Sequence, residues 1–69
     1  MRRSFGHVLR DARKERKISQ VLLAFEAKLD RAYIGKLERN ESQPTLATVF
    51  AIAKALNIRA SEMIARMER

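Results

Sequence analysis

The chain has 69 residues, 46% of them hydrophobic, and a net charge of +7 from 15 Lys and Arg against 8 Asp and Glu. That supports one small folded domain, which buries only about 60% of its unfolded surface, and excludes a disordered polymer. No cysteine is present, which excludes a disulfide framework or thiolate metal site and fits a reducing, intracellular compartment.

Five helices are predicted in chain order. Residues 1–4 read as a basic N-terminal arm with a frayed start, and residues 5–69 as a single domain. Ser4 caps a first helix over 5–16, with Phe5, Val8, Leu9 and Ala12 on one face and Arg10, Arg13, Lys14 and Arg16 on the other. Ser19 caps a second over 20–27, which turns Leu23, Ala24 and Ala27 inward. Asp30 caps a third over 31–39, with Leu29, Ile34 and Leu37 toward the core. The loop 40–44 ends in the only proline, which disfavours helix at Gln43. Thr45 caps a fourth helix over 46–56, with Leu46, Val49, Ile52, Ala53 and Leu56 as its inner stripe, and Asn57 suits a left-handed stop. A fifth, over 60–67, spaces Ala60, Met63, Ile64 and Met67 helically. The longest apolar run, 46–53, is far short of a membrane span, and no apolar signal segment opens the chain.

The charge is unevenly placed. Residues 1–39 hold 11 basic and 5 acidic side chains, and residues 40–69 hold 4 and 3. An anionic polymer is the natural partner for the first half. The same half contains two short helices, a tight turn at Leu29–Asp30 and the small Ala24 where they must approach. Those features describe a helix-turn-helix, an all-α unit whose second helix enters the DNA major groove while its first crosses the backbone.

That geometry assigns roles. Ser19 and Gln20 stand at a helix N-terminus, where unpaired N–H groups and a partial positive charge favour a phosphate; Ser19 caps in either case, and Gln20 has no packing reason to be there. On the third helix, Arg31, Ala32, Gly35 and Lys36 oppose the core side. Arg31 and Lys36 can donate to guanine O6 and N7, and Ala32 can touch a thymine methyl. Gly35 lets the backbone approach closely. Tyr33 either bonds a phosphate through its hydroxyl or covers the core edge with its ring.

The chain resembles the phage-repressor/Cro family of helix-turn-helix proteins, also called the XRE family. The resemblance rests on residues 9–13 (LRDAR), 19–20 (SQ), 23–24 (LA), 33–34 (YI), 37–39 (LER), 44–46 (PTL) and 52–58 (IAKALNI). It implies a compact five-helix, lambda-repressor-like fold and a bacterial or phage transcription regulator of the cytoplasm and nucleoid. It also implies a homodimer on pseudo-palindromic double-stranded operator DNA, with no cofactor and no metal. By it, Gln20 falls at the phosphate contact of the second helix, and Arg31, Ala32 and Lys36 at base-reading positions. Arg39 and Asn40 fall at backbone contacts, and Arg13 and Glu38 at a bridge from the first helix to the end of the third.

Three departures stand out. Lys28 replaces the usual turn glycine, Arg59 the usual small cap before the fifth helix, and Val21, Leu22 and Phe25 occupy commonly polar positions. Phe50, Met63, Ile64 and Met67 offer a C-terminal dimer interface, with methionine suited to an adaptable surface. The rival reading is a protein-interaction module of the same fold, of antitoxin or coactivator type, with a protein partner at Val21, Leu22 and Phe25. RNA binding lacks an aromatic stacking platform. Catalysis lacks a paired-carboxylate, glycine-loop or metal-ligand pattern, and His7 is the only histidine. An acidic membrane surface is disfavoured because the amphipathic faces are needed for one core.

Overall fold

The computed structural model describes residues 2–69, so Met1 of the expected arm lies outside the described residues. It contains five helices: α1 (Phe5–Glu15), α2 (Gln20–Ala27), α3 (Arg31–Glu38), α4 (Leu46–Ala55) and α5 (Ala60–Met67). Among the described residues there is no strand. α1, α3 and α4 each stop one residue short of their expected ends, because Arg16, Arg39 and Leu56 serve as C-caps.

Side-chain oxygens start four of the helices. Ser4, Ser19, Asp30 and Thr45 accept from the N–H groups of His7, Leu22, Ala32 and Thr48 at 3.0–3.1 Å. Each satisfies one of the donors a helix N-terminus leaves free. Arg59, before α5, makes no side-chain cap bond. The first four helices also end alike, each passing into a left-handed residue that is not glycine: Lys17, Lys28, Asn40 and Asn57, with φ of 58°, 59°, 61° and 58°.

The helices pack in a closed ring, α1 on α3, α3 on α2, α2 on α4, α4 on α5 and α5 on α1. Val8, Leu9, Leu23, Ile34, Leu37, Ile52, Leu56 and Met63 are fully buried at its centre. Gly6 is what lets α1 approach α3. A β-carbon there would collide with the Leu37 carbonyl and stand 2.9 Å from that of Glu38.

Three expectations are corrected. Leu46 is 68% exposed, while Thr48 is buried; the buried side of α4 starts at Thr48 and Val49, and Leu46 stands outside it. The arm is not frayed at Arg3, whose N–H donates to the Met67 carbonyl at 2.8 Å. Met63 is wholly buried in the monomer, so it has no surface to give a dimer contact. No described helix is long and apolar enough to cross a membrane.

Candidate nucleic-acid interface

α2 packs on α3, with Ala24 buried in the core, and the chain turns between them at Lys28, whose φ of 59° and ψ of 42° are left-handed. Leu29 then donates its N–H to the Ala24 carbonyl at 2.9 Å, and Asp30 opens α3. The left-handed turn sits where a glycine would be cheapest, and lysine bears about 1–2 kcal/mol of steric cost there.

The outer side of α3 carries Arg31, Ala32, Lys36 and Arg39, all exposed. Tyr33 is half-buried and packs against the core, so its ring covers the core edge. Gly35 is not open backbone. It is buried, and a β-carbon on it would stand 3.0 Å from Nη1 of Arg39, whose guanidinium lies over it. Arg39 is in turn held by Glu41, Nε to Oε2 at 2.9 Å and Nη2 to Oε1 at 3.2 Å. Hydrogen bonding to Arg39 keeps the Glu41 carboxyl below its ordinary range. Asn40 is the left-handed residue just past α3.

Ser19 and Gln20 stand at the start of α2 with different surroundings. Ser19 is exposed and caps the helix. Gln20 is only half exposed and has an internal partner: its Nε2 donates to Glu38 Oε1 at 3.0 Å. That corrects the view of Gln20 as a side chain with no structural role. The same carboxylate takes Arg13 Nε at 2.6 Å and Nη2 at 3.1 Å, while Arg13 Nη1 reaches the Ile18 carbonyl at 2.9 Å. Four elements are thereby tied at one point: α1, the α1–α2 loop, α2 and the end of α3. Burial alone would raise the Glu38 carboxyl pKa. The hydrogen bonds from Arg13 and Gln20, with the charges of Arg13 and Arg10, outweigh it, and the net shift is downward.

Val21, Leu22 and Phe25 are 59%, 41% and 79% exposed, so none of the three joins the core. The expected C-terminal interface divides. Met63 belongs to the core, Ile64 and Met67 line a shallow groove with Arg2, Arg3 and Glu68, and Phe50 stands exposed on α4 outside that groove. Sequence reasoning missed Glu41 as a partner of Arg39 and Gly6 as the α1–α3 contact. It also missed Arg16, whose Nη1 donates to the Leu56 carbonyl at the end of α4. An acidic residue two positions after an arginine and a glycine inside an amphipathic helix were the available signals for the first two. The third spans 40 positions and leaves no local trace.

Comparison with known proteins agrees with this geometry. A helix-turn-helix family model matches residues 9–63. The immunity repressor protein of Bacillus phage phi105 is 42% identical over 59 residues, which cover 86% of this chain. This chain spans only 41% of that repressor's length. The restriction-modification controller protein C.AhdI from Aeromonas hydrophila superposes with a TM-score of 0.83 at 39% identity, over 86% of this chain and 89% of that one. The P22 c2 repressor, solved in complex with a synthetic operator, superposes with a TM-score of 0.80 at 28% identity, over 88% and 92%. The chain belongs to the helix-turn-helix family of the phage-repressor, or XRE, type.

Proposed function

We propose that this chain is a sequence-specific DNA-binding transcription regulator that lays α3 in the major groove of a pseudo-palindromic operator as a homodimer. The observation that carries this reading is the outer side of α3, where Arg31, Ala32, Lys36 and Arg39 are all exposed on a helix capped at both ends. Arg31 and Lys36 offer donors to guanine, and Ala32 offers a methyl to thymine. Ser19, Gln20, Arg39 and Asn40 flank that side as phosphate contacts, which fix register without reading sequence; Tyr33 covers the core edge with its ring and has only its hydroxyl to offer a phosphate. Gln20 keeps one amide N–H for a phosphate while the other serves Glu38. The P22 c2 repressor, solved in complex with a synthetic operator, supports operator DNA as the partner here. Phe50, Ile64 and Met67 supply the dimer contact. Such a regulator works in the bacterial cytoplasm, on the nucleoid.

Binding-site selection from a randomised duplex library tests the reading. Arg31→Ala is expected to cost about 1–3 kcal/mol on the preferred site and to relax one base position. Gln20→Ala weakens all sequences alike and leaves the salt slope unchanged, because a neutral amide releases no counterion. A selected motif unchanged by Arg31→Ala removes Arg31 from base reading. A protein partner at Val21, Leu22 and Phe25 is the second reading, supported by the exposure of all three. Binding to duplex DNA that is absent, or indifferent to salt, would favour it.

A further inference from the structure

The ends of α1, α2, α3 and α4 follow one pattern with one exception. After each left-handed residue, the next N–H returns to a carbonyl five positions back: Ile18 to Arg13, Leu29 to Ala24, Glu41 to Lys36 and Ile58 to Ala53. This is the Schellman motif, whose last residue ordinarily lays an apolar side chain back on the helix it closes. Ile18, Leu29 and Ile58 do so, each packed against the core. At the end of α3 the same position carries an exposed carboxylate, turned to Arg39. Packing at that corner has been given up for a charge.

The consequence falls on Arg39. Its Nε and Nη2 both donate to Glu41, and its Nη1 lies over Gly35. The fork that would take two phosphate oxygens already holds two carboxylate oxygens. Both groups want the same planar, bidentate partner, and the guanidinium cannot present that edge to two of them at once. Glu41 cannot withdraw its backbone, because its N–H is fixed to the Lys36 carbonyl at 2.8 Å.

We propose that Glu41 sets the DNA affinity of this chain by competing with a backbone phosphate for Arg39, the pair being closed in the free protein and open on DNA. The proposal rests on the reading of α3 as the DNA-binding helix. Both side chains are more than half exposed, 58% and 53%, so the pair is weak enough to open.

The test is equilibrium binding to a duplex recovered from a randomised library with the wild-type chain. Four proteins are compared: wild type, Glu41→Gln, Arg39→Ala and the double variant. Glu41→Gln keeps the backbone cap, and its thermal midpoint, measured alongside, shows that the fold is intact. The expected result is binding about two- to fivefold tighter for Glu41→Gln, weaker for Arg39→Ala, and no gain from Glu41→Gln once Arg39 is alanine. If Arg39→Ala weakens binding but Glu41→Gln does not tighten it, the competition is wrong while α3 still binds DNA. A gain that persists in full without Arg39 is through-space repulsion and also overturns the proposal. Failure to recover any duplex, or wild-type binding by Arg39→Ala, overturns the underlying reading at this end of α3 and the proposal with it.

Discussion

Arg13 and Glu38 stand 25 positions apart in the chain and meet in a bidentate pair, with side chains only 13% and 5% exposed. The pair joins α1 to the end of α3, and Gln20 adds the start of α2 to the same carboxylate. The element that would enter the groove and the element that would grip the backbone are therefore fixed to one another through Glu38. An ion pair so largely withdrawn from water contributes little by mere attraction, since desolvation offsets it, but stripping one partner is costly.

This joint gives stability a pH dependence of definite sign. The Glu38 carboxyl pKa is lowered in the folded chain despite the opposing effect of burial, while in the unfolded chain it lies near about 4.3. Between the two values the unfolded state binds more protons, so stability rises with pH there. The contribution is complete above about pH 5 and is lost as pH falls through the folded value. Glu41 and Glu62 are lowered in the same direction but are solvent-screened and add little. Thermal midpoints measured from pH 7 downward should fall on acidification. Glu38→Gln should lose about 2–3 kcal/mol at pH 7 and show a flatter acid limb. An acid limb as steep as that of the wild type would assign it to other carboxylates.

Gly6→Ala should be among the most damaging small changes in α1. On helix propensity alone, alanine would gain about 1 kcal/mol. The added methyl, however, meets the Leu37 and Glu38 carbonyls and lies 2.7 Å from Asn40 Oδ1. Those backbone atoms cannot turn aside as a flexible side chain could, so α1 must lift from α3 at a net cost of about 2–3 kcal/mol. Urea denaturation reads this directly. A midpoint equal to or above that of the wild type would mean that the helices separate freely.

Much of this architecture is written locally. Ser4, Ser19, Asp30 and Thr45 each mark a helix start within a residue, because a cap is chemistry over three positions. Asn57 marks the end of α4 for the same reason. What the sequence hid depends on neighbours far along the chain. Leu46 has the spacing of a core residue, and only the rim of the packed helices decides that it stays in solvent. Met63 and Ile64 are adjacent and equally apolar, yet one is fully buried and the other 41% exposed. On the interface, the exposure of Arg31, Ala32 and Lys36 followed from helical periodicity. The position of Arg39 over Gly35 depended on the turn beyond α3, which periodicity does not describe.

Lys28→Gly isolates the strain of the helix-turn-helix turn. Lysine holds a left-handed conformation there at about 1–2 kcal/mol of steric cost, and glycine removes it. Glycine also widens the unfolded ensemble, which returns part of the gain. Stability should rise by up to about 1 kcal/mol, with the m-value unchanged. A clear loss would show that the lysine stem is more than a passenger in the turn.

Self-association and DNA binding should respond oppositely to salt. Two copies carrying +7 each repel, and the apolar groups that would hold them, Phe50 and Ile64, are exposed at 56% and 41%. Screening shortens the range of that repulsion to about 8 Å at physiological ionic strength, so added salt should favour the dimer. DNA binding should behave in reverse, each phosphate neutralised by a Lys or Arg contributing about −0.9 to the log–log slope of affinity with salt. Sedimentation over a salt series, on the wild type, Phe50→Glu, Ile64→Glu and Phe25→Glu, separates the surfaces. Met67 is left alone because it is partly buried against the core, and a charge there would test folding instead. The dimer should strengthen with salt, and weaken with Phe50→Glu or Ile64→Glu but not with Phe25→Glu. A dimer lost only with Phe25→Glu would move the interface to α2, where a second copy would crowd Ser19 and Gln20, the proposed phosphate contacts.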